Sequence, residues 1–155
     1  MGTISTRTDV MKLNLGCGPK KEEGFINIDM NPRWNPDMLL DLRKELPFEN
    51  DSCEVVMAFH FLEHLDNDSL IQLIKEVYRV LIHDGIFDII VPLGVTGEIT
   101  HKIIFLENSF DRFYLQEDLS EFFDYPMKFS LLDKSVKYPE GERDPCLHIR
   151  LRVVK

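Results

Sequence analysis

The sequence predicts an α/β domain: a mostly parallel seven-stranded sheet with an antiparallel carboxyl-terminal strand. Three observations carry this. Apolar runs alternate with helical patterns through the first two thirds of the 155 residues, which favours parallel strands joined by crossovers. The run Met11–Leu15 stops on Gly16-Cys17-Gly18, and the next, Phe25-Ile26-Asn27-Ile28-Asp29, stops on a carboxylate. In the tail, Leu147, Ile149, Leu151 and Val153 alternate with His148, Arg150, Arg152 and Val154, the period of a half-buried strand.

Taken in order, the strands are Lys12–Gly16, Phe25–Asp29, Asp37–Asp41, Cys53–Phe59 and Ile86–Val91. A helix is predicted over Ser69–Ile82, with Leu70, Ile74, Val77 and Leu81 on one face and Ile71, Tyr78 and Ile82 widening the stripe. Asp68 or Ser69 caps its start, and His83-Asp84-Gly85 stops it. Phe113, Leu115, Leu119, Phe122 and Phe123 suggest one or two short helices between Asp111 and Asp124. Lys128–Ser135 then pairs antiparallel with the last strand across the turn-rich segment Tyr138–Pro145. Only Cys17–Gly24 separate the first two strands and only Met30–Pro36 the next two, where parallel neighbours usually need a dozen or more residues. These crossovers should hold at most a turn of helix, such as Lys20–Glu23 after Pro19 at a first helical position. One face of the sheet is therefore expected to be thinly covered and to call for a partner or a second copy.

Length and pattern give one domain over residues 11–155, after a segment of residues 1–10 that lacks periodicity and is expected to be poorly ordered. Hydrophobic content of 44% and charged content of 29% are those of an ordinary globular protein. No apolar run is long enough to span a membrane, and the first ten residues lack the apolar stretch of a secretory signal. The net charge of −9, from 18 basic and 27 acidic residues, repels phosphate backbones and argues against nucleic acid as a partner. Cys17, Cys53 and Cys146 show no metal-ligand spacing, and their odd number argues against a disulfide framework. A reducing cytoplasm is the expected location.

Glycines at a strand exit let backbone N–H groups approach a ligand, and an acid at the tip of the next strand suits ribose hydroxyls. Gly16, Gly18 and Asp29 together point to a bound nucleoside, against the plainer reading that Asp29 caps the turn of Asp-Met-Asn-Pro. His60-Phe61-Leu62-Glu63-His64 matches the inverted zinc-protease pattern. That chemistry needs both histidines on one helical face, whereas His60 falls at the exit of the strand Cys53–Phe59 and only His64 on the following turn. No metal is expected, and Glu63 and His64 are read as pinning the loop. His101 is either a surface residue or a lid contact to a substrate.

These residues resemble class I S-adenosylmethionine-dependent methyltransferases. The resemblance rests on Leu13-Asn14-Leu15-Gly16-Cys17-Gly18-Pro19, Asn27-Ile28-Asp29, Asp41-Leu42 ahead of Leu46-Pro47-Phe48, Asp51–Val56, His60–His64, and Arg79-Val80-Leu81 running into Asp84-Gly85. Within the family it is similar to the compact branch with a shortened first crossover, a likeness that extends to Thr100-His101-Lys102, Phe105 and Ser109-Phe110. It implies a Rossmann-like fold with S-adenosylmethionine as cofactor. Gly16 and Gly18 would pass under its methionine part, Asp29 would take the ribose hydroxyls and Met30 would lie against the adenine. Asp41 would accept from the adenine amino group, Leu42 would line the ring, and Phe59 and His60 would border the point where methyl and acceptor meet. Two departures stand out. Asn14 replaces the acid of many relatives, and Lys21 sits where a third glycine would complete Gly-x-Gly-x-x-Gly, which disfavours a nicotinamide dehydrogenase. With little first helix, Lys20 or Lys21 would supply a point charge to the methionine carboxylate. The implied reaction is methyl transfer to an oxygen or nitrogen of a small-molecule or carbohydrate-like acceptor, with His60, His64 and His101 as candidate bases. The alternative is a cofactor-binding module or partner subunit without catalysis of its own.

Overall fold

The computed structural model describes residues 9–155. The expectation of disorder over residues 1–10 falls outside them, except at Asp9 and Val10, which lead into the first strand. Seven strands form one sheet in the order β3-β2-β1-β4-β5-β7-β6. They are β1 (Met11–Leu15), β2 (Ile26–Asp29), β3 (Met38–Leu39), β4 (Cys53–Phe59), β5 (Leu81–Pro92), β6 (Phe129–Lys137) and β7 (Cys146–Val153). All neighbours from β3 to β5 pair parallel, β7 pairs antiparallel with β5, and β6 antiparallel with β7. In direction, β7 alone opposes the rest. This is the sheet the sequence predicts.

Several boundaries move. The long helix among the described residues, α1, spans Asn67–Val80, not Ser69–Ile82, and its cap is Asp66, whose carboxylate accepts from the Ser69 N–H at 2.8 Å. At its other end the chain passes straight into β5, so Leu81, Ile82 and His83–Gly85 are strand and not a helix end. Pairing with β4 breaks register between Leu81 and Ile86, where Asp84 takes a left-handed φ of 64°. Leu73, outside the expected stripe, is fully buried on α1. Short helices α2 (Arg112–Leu115) and α3 (Ser120–Phe123) fall in the segment where one or two were expected.

The predicted helical turn at Lys20–Glu23 does not form. A polar network holds that crossover instead. The Asn14 amide donates to Asn27 Oδ1 at 2.9 Å and to the Lys20 carbonyl at 3.1 Å. Asn27 Oδ1 also accepts the Glu22 N–H at 2.8 Å, and the Asn27 amide donates to Asp37 at 2.8 Å. Asn14 and Asn27 are buried, so each bond replaces one lost to water, and together they fix an eight-residue loop that has no regular structure to fix itself.

The sheet's two faces differ. Phe87, Ile89 and Val91 of β5 and Leu147, Ile149, Leu151 and Val153 of β7 are buried beneath α1 and an aromatic cluster. In that cluster Tyr78 and Phe113 both meet Phe129 edge-on, at 5.3 and 5.8 Å. On the opposite face, one row across the sheet reads Asn27, Asn14, Met57, Asp88, Arg150 and Asp133. The Asn14 network covers one end of that row. At the other end Asp88 pairs with His148 at 2.7 Å, and Arg150 with Asp133 at 3.7 Å. The thin face expected from the short crossovers is present, and it carries these polar contacts together with the half-buried Val55, Ile86 and Ile90.

Candidate active site

The carboxyl ends of β1, β2 and β4 open on one edge of the sheet, where open α/β sheets bind ligands. Gly16 (φ 62°) and Gly18 (φ 50°) turn the chain out of β1 in left-handed conformations that favour glycine. A Cβ on Gly16 would run into the ring of Phe61, whereas one on Gly18 would meet open space. Asp29, ending β2, holds this loop: Oδ2 accepts the Gly18 N–H at 2.9 Å and Oδ1 the Asn31 N–H at 2.8 Å. A carboxylate has lone pairs to spare beyond these two bonds.

Gly16, Asp29, Met30, Asp41 and Leu42 line one cavity of about 190 Å³, roofed by Phe61. The sequence thus placed five of its residues together. Arg43 was not anticipated. Its Nε and Nη2 grip the Asp41 carboxylate at 2.8 and 2.9 Å, and these bonds push the Asp41 pKa down to about 2. An adenine amino group would share Asp41 with that fork.

Beyond Gly16 a second cavity of about 530 Å³ is lined by Gly18, Lys20, Phe59 and His60. Of the two lysines proposed for a point charge, it is Lys20 that faces this space. A third cavity, about 610 Å³, is bounded by His60, Glu63, His64, Thr96, His101 and Glu142. Gly16 belongs to the first and second cavities, His60 to the second and third, and His64 to the first and third. The three spaces form one arc around the strand ends.

His60 follows β4 directly and takes a left-handed φ of 53°, uncommon for a residue with a Cβ. Its side chain reaches solvent but is ringed by protein at the junction of two cavities, and that partial burial draws its pKa below the ordinary imidazole value. Leu62–His64 form a 3-10 turn. Glu63 points inward and is 1% exposed, with burial pushing its pKa up to about 7; its Oε2 has no hydrogen-bond partner. The Glu63 carbonyl accepts the N–H groups of Lys102 at 2.7 Å and Ile103 at 3.2 Å, tying the loop after β5 to this turn. His101 is thereby set against His64, ring centroids 4.9 Å apart and edge-on. Desolvation, and then the neighbouring His64, lower the His101 pKa. His60 and His64 do not converge: His60 groups with Glu142 and Cys146, and His64 with Glu63 and His101. Cys17 is buried, and burial raises its thiol pKa, as for a packing residue and not a nucleophile.

Comparison with known proteins agrees with this geometry. The sequence profile of the family described as methyltransferase domain matches residues 27–89. That stretch of the chain is similar to the methyltransferase-domain family, and solved structures show the same fold. The fold of the chain is that of 1,6-didemethyltoxoflavin-N1-methyltransferase from Burkholderia thailandensis, solved with 1,6-didemethyltoxoflavin and S-adenosylhomocysteine, at a TM-score of 0.65 and 17% identity over 94% of this chain and 71% of that one. The N-methyltransferase NodS from Bradyrhizobium japonicum superposes at a TM-score of 0.67 with 14% identity, over 94% and 86% of the two chains. The [4+2]-cyclase SpnF does so at 0.62 with 13% identity, over 94% and 75%. No curated protein matches the sequence.

S-adenosylmethionine, the cofactor of the family that residues 27–89 match, fits the residues present. Gly18 lines the second cavity, where a Cβ on it would occupy open space, and Asp29 lines the first cavity together with the apolar Met30, Leu42 and Phe61. Sequence reasoning missed Phe61, Arg43 and the inward aim of Glu63. Phe61 lay within a motif already singled out. The burial of Glu63 leaves no local signal, because a distant loop creates it.

Proposed function

We propose that this domain transfers the methyl group of S-adenosylmethionine to an oxygen or nitrogen of a small-molecule or carbohydrate-like acceptor held in the cavity between His60 and His101. The observation that carries this is the arc of cavities, with cofactor-type groups at one end, titratable groups at the other and His60 at the junction. The cofactor supplies an electrophilic methyl on a sulfonium centre, already activated, so alignment is what the chain must add. Asp29 and the glycine loop bind and orient. Phe61 and Leu65 exclude water from the adenosine slot. His60, whose partial burial lowers its pKa and favours the neutral imidazole, is placed to take a proton from an acceptor hydroxyl; His64 and His101 line the same cavity. That cavity also carries Glu98, Glu142 and Asp144, which repel a nucleic-acid backbone and support a small acceptor.

The segment Val95–Phe105 serves as a lid. Val95 and Ile99 are largely exposed, Gly94 is left-handed, and Glu63 is the tether at the far end. The test is turnover: labelled S-adenosylmethionine incubated with pooled small-molecule and sugar acceptors should yield a labelled product, and His60→Gln should lower the rate. Cofactor binding with no product from any pool would favour the second reading, a cofactor-binding module without its own methyl transfer, which the presence of a cyclase with this fold keeps in view.

A further inference from the structure

We propose that Glu63, His64 and His101 form a binding site for a divalent first-row transition ion on the wall of the third cavity. One ligand atom from each lies within 4.8 Å of the others, and His64 Nε2 is 3.9 Å from Glu63 Oε1. Ligand atoms on a tetrahedral ion with bonds of about 2.0–2.1 Å stand about 3.3 Å apart, so small rotations close the trio. Both imidazoles are held in the manner of metal ligands. His64 Nδ1 lies 3.2 Å from the Thr100 carbonyl, which can only accept, so Nδ1 carries the hydrogen and Nε2 the free lone pair. His101 Nδ1 is likewise engaged, by Thr96 Oγ1 at 2.6 Å, leaving Nε2 free. Tying the second nitrogen to an outer oxygen is what orients metal-bound histidines.

The independent observation is Glu63. Its side chain is 1% exposed, yet Oε2 meets no donor. A buried carboxylate with one oxygen left unmatched is costly, and a cation held by this carboxylate and two imidazoles would neutralise the group. The other convergence, His60 with Glu142 and Cys146, lacks this feature, since the Cys146 thiol already donates to Glu142 at 3.7 Å. Two imidazoles and one carboxylate suit zinc, cobalt or iron in preference to magnesium or calcium, and three protein ligands leave a position open to the cavity. The sequence expectation of no metal rested on His60 and His64 failing to share a face; this trio does without His60. The use of the open position for an acceptor oxygen rests on the proposed methyl transfer, but ion binding does not.

The test uses the full chain stripped with chelator, desalted and titrated with Co2+. The expected result is one Co2+ retained per chain with visible d–d absorption, displaced by Zn2+ but not by Mg2+. Glu63→Gln and His101→Gln should each weaken retention by about tenfold or more, while His60→Gln retains it. Failure to retain Co2+, or equal retention in Glu63→Gln and His101→Gln, overturns the site. Thermal melting in chelator checks the folding of Glu63→Gln; if it does not fold, the partly exposed His101→Gln decides alone. S-adenosylhomocysteine titrated in chelator separates the two proposals: its binding without any Co2+ retention overturns the metal site and leaves the methyltransferase reading standing.

Discussion

At the adenosine end of the site, Gly16, Gly18, Asp29 and Asp41 sit at or just beyond the ends of three successive strands, and each does its work through its own backbone turn or a neighbour close in sequence. At the acceptor end, Glu63 and His64 come from the turn after β4, and their partners Thr100 and His101 arrive on an irregular loop after β5, more than thirty residues later. The first end is rigid because the sheet makes it so. The second depends on scattered bonds to an irregular loop: Lys102 and Ile103 donate to the Glu63 carbonyl, Gly94 to the Phe105 carbonyl, and His64 to the Thr100 carbonyl. Substitutions that strike the two ends separately should therefore part binding from turnover.

The largest effect is expected at the adenosine end. Asp29→Ala removes the group placed for the ribose and the acceptor of the Gly18 and Asn31 N–H groups, and should weaken S-adenosylhomocysteine binding by about 1.5–3 kcal/mol, the range for a charged hydrogen bond. Calorimetry showing unchanged affinity would reduce Asp29 to a turn residue and erase the contrast. Asn14→Ala comes next. It strips Asn27 Oδ1 and the Lys20 carbonyl of a buried donor and should lower stability by about 1–2 kcal/mol, read as a reduced melting temperature. A melting temperature equal to wild type would mean that the crossover does not depend on this network.

Why the two ends differ in legibility follows from the same geometry. The glycine turn and the two acids are written as short patterns at strand ends, and the parallel order of strands could be read from apolar runs and their spacing. Asn14 was visible as a departure, but its role was not, because Asn27 and Lys20 become its partners only when the crossover folds over β1. The start of β5 at Leu81 was misplaced because Leu81 and Ile82 continue the helical stripe of α1, and only pairing with β4 decides against it. Glu63 was seen in its motif as a loop pin. That its carboxylate points inward, unmatched, depends on the loop carrying His101, which no local pattern positions.

A smaller effect concerns the frame beneath both ends. Glu76 of α1 accepts from Arg79 at 2.7 Å and from the Leu46 N–H at 2.8 Å, and Arg79 returns to the carbonyls of Leu46 and Phe48, so this pair clamps the segment between β3 and β4. Arg79 holds the Glu76 pKa below the ordinary glutamate value. A depressed carboxylate stabilises the fold above its unfolded-state pKa and ceases to do so as pH falls through the folded value. Chemical denaturation should thus find Glu76→Gln less stable than wild type at neutral pH, with the gap closing in acid. A gap constant across that range would remove the ion pair from the account.

The smallest effect is the most telling for the contrast. His101→Ala should change S-adenosylhomocysteine affinity by less than about twofold while lowering methyl transfer, because its contacts are with Thr96 and His64 and not with the adenosine slot. Equal loss of both would move His101 into the cofactor site.

The claim on which all of this stands is that the glycine loop and Asp29 are built for S-adenosylmethionine and its demethylated product. Isothermal calorimetry of the purified chain against S-adenosylhomocysteine and NAD tests it most directly. The account predicts saturable one-to-one binding of S-adenosylhomocysteine, weakened in Asp29→Ala, and no measurable heat with NAD. Tighter binding of NAD than of S-adenosylhomocysteine would contradict it.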